Sequence, residues 1–208
     1  MKFFRVLMVL ALGLTLLLTG CGGGGDTPPA MGGEQGADMP QVAGLIEPIA
    51  TEPAFLTSVG QSADVQMVKT LLDRAQLEHE FDPVAPADDL TEKYQTLIMV
   101  IGGSSKGLGA AGIKPEEEMI RATALVEKAR ELGQVIITLH VGGEARRGDL
   151  SDPFITNMAP AADYLIVVEE GNKDGLFTRI AADNDIPMDT VTSIAGAAEP
   201  LQAAFIEE

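Results

Sequence analysis

Hydroxyl, imidazole, carboxylate and guanidinium groups gather in four short stretches of this chain. They are TSVGQSAD (57–64), GGSSKGLGAAGI (102–113), HVGGEARRGDLSD (140–152) and EEGNKDGLF (169–177). Two chemistries suit them. The first is acyl or ester hydrolysis, with Ser58, Ser104 or Ser105 as nucleophile, His140 as base and Glu144 or Asp149 as its orienter. None of these serines lies in a G-x-S-x-G elbow, and a lone histidine at a strand end is more often structural. The second is anion binding. Ser58, Gln61 and Ser62 follow an apolar run and can cradle an anion on free backbone amides at a helix start. Ser104, Ser105 and Lys106 form a central loop. Arg146 and Arg147 offer forked donors that suit carboxylate or phosphate, and Asn172 and Lys173 supply a further amide and charge. Asp149 and Asp152 compete locally for the same arginines, and Asp174 reads as a helix N-cap. No metal centre is expected, because His79 and His140 lie in different units and no H-x-x-H or H-E-x-x-H spacing occurs.

The glycines of the second stretch spell Gly107-Leu108-Gly109-Ala110-Ala111-Gly112, a formal dinucleotide fingerprint. That motif needs its helix to start inside it and an acid at the end of the next strand. Here the preceding apolar run ends near Gly102, Pro115 marks a later helix start, and the next run ends in His140. Gly103 to Gly109 also resembles the opening turn of short-chain dehydrogenases. The Tyr-x-x-x-Lys pair of that family is missing, since Tyr94 and Tyr164 are followed four residues on by Ile98 and Val168. NAD(P) is therefore not expected. Thr57, Gly60 and Ser62 are similar to the phosphate loop of flavodoxins, with Val59 in place of a hydroxyl. Aromatic residues to sandwich an isoalloxazine are scarce (no Trp, two Tyr), so FMN is not expected either.

These stretches must be positioned by alternating strands and helices. Apolar runs at 54–59, 96–102, 135–141 and 164–170 read as strands, with weaker ones at 79–82 and 190–193. Residues 64–77 put Val65, Val68, Leu71, Leu72 and Leu77 on one helical face. Pro115 and Glu116 to Glu118 have the composition of a first helical turn, and Gly133 stops that helix. Further helices are read at 151–160, 174–184 and 196–206. Between 102 and 114 the reading is a long flexible loop. The expectation is a three-layer α/β/α, doubly wound, mostly parallel sheet of about five strands, flavodoxin-like. Ligands of such sheets bind outside the strand carboxyl ends, where all four stretches fall. Four of the fourteen basic residues sit there.

Lys2 and Arg5 precede an apolar run from Val6 to Leu18, and Leu18-Thr19-Gly20-Cys21 follows. The run has the form of a secretory leader and is short for a membrane span. The last four residues resemble the lipobox of bacterial lipoproteins. That resemblance implies a leader at 1–20, cleavage before Cys21, and acylation (palmitate among the chains) that ties Cys21 to a lipid bilayer in the bacterial cell envelope. Residues 21–44 read as a Gly/Pro-rich tether and 45–208 as one domain. Cys21 is the only cysteine, so neither a disulfide nor a thiolate metal site is available. A net charge of -17 argues against nucleic acid as a partner.

LTSVGQSADVQMVKTLL, GGSSKGLGAAGI, GGEARRGDLSD and YLIVVEEGNKDGLF together resemble a family of uncharacterised bacterial exported proteins, a domain of unknown function. The resemblance implies an exported α/β domain and assigns no catalytic residue. The reading is a lipid-anchored envelope protein that binds a small anionic ligand without catalysis at the strand carboxyl ends. The alternatives are a hydrolase or phosphoryl-handling enzyme using His140, and a module that docks another envelope protein.

Overall fold

The structure, a computed structural model, describes residues 39–206. The expected leader, the expected lipidation site Cys21 and the Gly/Pro-rich stretch up to residue 38 lie outside the described residues. The strands are β1 (Ala54–Val59), β2 (His79–Phe81), β3 (Thr96–Ile101), β4 (Val135–His140), β5 (Tyr164–Val168) and β6 (Met188–Val191). The helices are α1 (Asp64–Ala75), α2 (Ser105–Ala111), α3 (Pro115–Glu131), α4 (Asp152–Met158), α5 (Leu176–Asp183) and α6 (Ala198–Ala203). The strands form one all-parallel sheet in the order β2-β1-β3-β4-β5-β6. That is one strand more than the expected five, and both edge strands are short.

Each central strand is covered on both faces, which is why it reads as an unbroken apolar run. Phe55, Leu97, Met99, Leu165 and Val167 pack against α3, α4 and α5. Leu56, Ile98, Val100, Ile137 and Ile166 pack against α1 and α6. Val65, Val68, Leu71 and Leu72 of α1 are buried, as their spacing predicts. β1 is flanked by β2 on one side and β3 on the other, with six residue pairs in register from Ala54–Thr96 to Val59–Ile101. The strand order reverses at β1, and in sheets of this kind the crevice that takes a ligand lies outside the strand carboxyl ends at that switch point, here the ends of β1 and β3.

Two expectations are corrected. The stretch after β3 is helix rather than a long loop: α2 runs through the glycines, and α3 starts separately at Pro115. Ser104 holds extended backbone at the α2 N-cap, its Oγ accepting from the Gly107 amide at 3.1 Å. Gly112 ends the helix at φ 69°. Two glycines inside seven residues, with Leu108 alone buried, hide this helix from any periodicity. The second correction concerns residues 42–50, which are packed rather than divided between tether and domain at residue 45. Ala43 O accepts from Met188 N at 2.9 Å, Leu45 N donates to Asp189 Oδ2 at 3.2 Å, and Ala50 O accepts from Ile206 N at 3.0 Å. Among the described residues no helix is long and apolar enough to cross a membrane.

Candidate functional site

The loop after β1 turns sharply, with Gly60 at φ 91° and Gln61 at φ 60°. A Cβ on Gly60 would lie 2.7 Å from Gly102 O, so the β1 and β3 loops touch backbone to backbone. They remain paired beyond the strands, through Gly102 N to Val59 O at 2.9 Å and Ser104 N to Gly60 O at 2.8 Å. This pairing carries Ser62 to the mouth of the crevice. Its Oγ donates to Asp64 Oδ2 at 2.5 Å and accepts from Arg146 Nε at 2.8 Å. Arg146 Nε also reaches Asp64 Oδ2 at 3.1 Å. The Arg146 stem lies over Gly142, where any Cβ would overlap both that stem and the Asp64 carboxylate. Nε is thus anchored twice, whereas Nη1 and Nη2 have no hydrogen-bond partner among the described residues. The side chain is 30% exposed. An arginine held in this way offers two parallel N–H donors to solvent.

The other residues expected at the site have partners of their own or face solvent, except Ser58, which is buried without a partner for its hydroxyl. Arg147 pairs with Asp152 (2.8 Å) and Asp174 (2.8 Å) and also donates to Gly171 O at 2.5 Å. Its hydrogen bonds to Asp174 and then to Asp152 raise its pKa, and Arg147 in return holds the Asp174 carboxyl at about 2. Lys173 pairs with Glu144 at 2.8 Å on the surface. Asn172 Oδ1 accepts from Phe177 N in the first turn of α5 at 2.9 Å; Asp174, expected as the N-cap, accepts from Leu176 N at 3.2 Å, and the N-cap itself is Gly175. Gln61 faces inward, its Nε2 donating to Pro83 O at 2.8 Å and Glu118 Oε1 at 3.0 Å. Ser58 is 1% exposed and its hydroxyl has no partner. Ser105 and Lys106 are exposed on the first turn of α2. The structure therefore gathers Ser62, Arg146 and the Gly102–Ser104 backbone at the crevice. It places Arg147, Asn172 and Lys173 in a separate network around α5.

His140 is fully buried. Its Nδ1 lies 3.0 Å from Ile101 O and its Nε2 3.3 Å from Gly143 O. Burial lowers its pKa, against the opposing pull of these two carbonyls. A Cβ on Gly171 would stand 2.5 Å from the imidazole, and the Phe177 ring centroid is 4.9 Å from that of His140. No serine hydroxyl bonds to the ring, and Glu144 binds Lys173 instead. The Ser–His–Glu arrangement posed from the sequence is not assembled. Among the described residues no group of three or more His, Cys, Asp or Glu side chains could hold a metal ion.

One ionic group escaped sequence reasoning. Glu118, on the first turn of α3 as expected, is fully buried there and pairs with Arg121 at 2.8 Å. The i,i+3 spacing of these two residues marks a pair but not its burial, since Lys128 and Glu131 share that spacing on the surface. Two cavities lie elsewhere, one of about 680 Å³ lined by Val42, Leu45, Ile46, Ala181 and Ile186, another of about 730 Å³ lined by Pro48, Ala198 and Phe205. Both are largely apolar and lack convergent donors.

Comparison with solved structures finds distant similarity to a GDSL-like lipase from Bacteroides thetaiotaomicron, at 10% identity, over 70% of this chain and 72% of that chain, with a TM-score of 0.34. A psychrotrophic esterase from Pseudoalteromonas is similar at 15% identity over 66% of this chain and 75% of that one, with a TM-score of 0.31. Values this low transfer no activity. No curated protein matches the sequence. Residues 51–205, which span all six strands, match the family described as domain of unknown function DUF6305. The chain belongs to that family.

Proposed function

We propose that this chain is an exported protein, anchored by lipid on Cys21, whose α/β domain binds a small anionic ligand without catalysis at the carboxyl ends of β1 and β3. The observation that supports this reading is the state of Arg146. Its Nε is fixed by Ser62 and Asp64 at 2.8 and 3.1 Å, and its two terminal nitrogens are left without protein partners. A guanidinium held by Nε has already lost much of its side-chain freedom, so less entropy is lost when an anion docks. Asp64 offsets the charge of Arg146. Recognition then rests on two directed hydrogen bonds, the geometry that favours carboxylate or phosphate. Lys106, exposed on α2, adds a mobile positive charge beside the crevice, with Ser104 and Ser105 next to it in the chain.

The test is thermal unfolding of the mature chain in acetate, malonate or phosphate, against chloride at equal ionic strength. Ligand at ten times its Kd stabilises by about 1.4 kcal/mol, a rise of roughly 3–6 °C for a domain of this size. Arg146→Lys keeps the charge and loses the fork, and is expected to abolish the shift. A shift that survives in Arg146→Lys, or none with any anion, would remove this reading. Anchoring is tested separately: Cys21→Ala is expected to move the protein from the membrane fraction to the soluble fraction.

A further inference from the structure

We propose that Glu118, acting with Arg121 and Gln61, is a positioning residue that sets Arg146. The inference rests on the reading of Arg146 as the anion receptor. Glu118 is on α3, remote in sequence from the crevice, and its carboxylate is fully buried. Four donors surround it. Oε1 accepts from Gly60 N at 2.8 Å, Gln61 Nε2 at 3.0 Å and Arg121 Nη2 at 2.9 Å, and Oε2 accepts from Arg121 Nε at 2.8 Å. Arg121 is itself held by Ala85 O at 2.8 Å and by Ser58 O.

A buried ion pair is a poor way to gain stability, because apolar residues of similar size often do as well. What apolar residues cannot do is grip a backbone amide in a set direction. Glu118 grips the two residues of the β1 loop that adopt left-handed backbone, Gly60 and Gln61. Glycine takes that conformation freely, but Gln61 does not. Its side-chain bonds to Glu118 and Pro83 O account for a glutamine there. The next residue is Ser62, whose hydroxyl anchors Arg146 Nε. The sequence of contacts runs from α3 through the left-handed turn to Ser62 and so to the guanidinium. The same turn seats α2, because Gly107 packs directly on the Gln61 carbonyl.

The experiment is hydrogen exchange of arginine Nε–H groups by 15N NMR in the full mature chain, with Arg147 as internal reference. Arg147 is held by Asp152 and Asp174, and neither contacts Glu118. Gln61→Gly keeps the left-handed backbone accessible, removes both side-chain bonds and leaves the Glu118–Arg121 pair intact. Glu118→Gln weakens the grip at its centre, and if that variant fails to fold, Gln61→Gly decides alone. The expected result is exchange at Arg146 Nε–H about tenfold faster in Gln61→Gly, the factor that corresponds to roughly 1.4 kcal/mol, one hydrogen bond. Arg147 Nε–H should be unchanged, and any phosphate-induced stabilisation should weaken in parallel. Unchanged exchange at Arg146, or equal acceleration at Arg146 and Arg147, overturns the proposal. If phosphate and acetate fail to bind the unmodified chain while Arg146 alone responds to Gln61→Gly, the positioning role stands and the anion reading falls.

Discussion

Helix α2 contains two interior glycines, and the same substitution at each is expected to have opposite effects. Replacing a helical glycine by alanine gains about 1 kcal/mol from propensity alone. At Gly109 nothing lies within 4 Å of the added Cβ, so Gly109→Ala should stabilise by about 0.5–1 kcal/mol. At Gly107 the added Cβ would stand 1.8 Å from Gln61 O, and either α2 or that carbonyl must move well over an ångström. The carbonyl belongs to a turn pinned by Ser104 N on Gly60 O and by Glu118 on Gly60 N, at 2.8 Å each. Overpacking commonly costs about 1–3 kcal/mol, and the upper part of that range applies where backbone must yield. Subtracting the propensity gain leaves Gly107→Ala destabilised by about 1–2 kcal/mol. The two variants should then differ by roughly 1.5–3 kcal/mol, or about 3–12 °C in Tm. Urea and thermal unfolding of both, with unchanged denaturant slopes, measure this. If Gly107→Ala is within about 0.5 kcal/mol of Gly109→Ala, the close packing of α2 on the β1 loop is refuted.

Four further outcomes are expected. Gly171→Ala drives a methyl into the His140 ring, 2.5 Å away, and should cost about 2–3 kcal/mol in urea unfolding. Arg121→Met leaves Glu118 buried without its cation and should cost about 3–5 kcal/mol by the same assay. Burial lowers the folded pKa of His140 below 6.5, so the unfolded chain binds the extra proton first. Stability is then full above about pH 6.5 and falls on acidification, by at most about 1.4 kcal/mol per pH unit. His140→Asn should flatten that part of the Tm–pH curve. Asp174, depressed to about 2 by Arg147, has the opposite charge type and a separate window: its contribution is present above 3.8 and is lost as pH falls through about 2.

The strands were legible because burial on both faces leaves a continuous apolar record, and α1 because one face of it is apolar. Helix α2 was not, since its reason for being helical lies outside it, in the Ser104 cap and in the fit of Gly107 to Gln61 O. The loops at the strand carboxyl ends were located correctly by topology. The use of their side chains was not legible, because the partners of Arg146, Arg147 and Lys173 come from other parts of the chain: Asp64, Asp174 and Glu144. Local sequence offered Asp149 and Asp152 as competitors, and only Asp152 takes that role. Glu118 and Arg121 were hidden for the same reason. A charged pair on a helix reads as solvated until the packing of α3 against β1 is known.

Residues 43–45 lie alongside the start of β6, where the sheet would otherwise present an open edge. Such an edge is a template on which a foreign strand can add, in partner recruitment or in aggregation. With Met188 N taken by Ala43 O and the Asp189 carboxylate holding the Leu45 amide, the chain itself occupies the start of that template. Removing residues 39–50 would therefore do more than shorten a linker: it would leave β6 open to self-association.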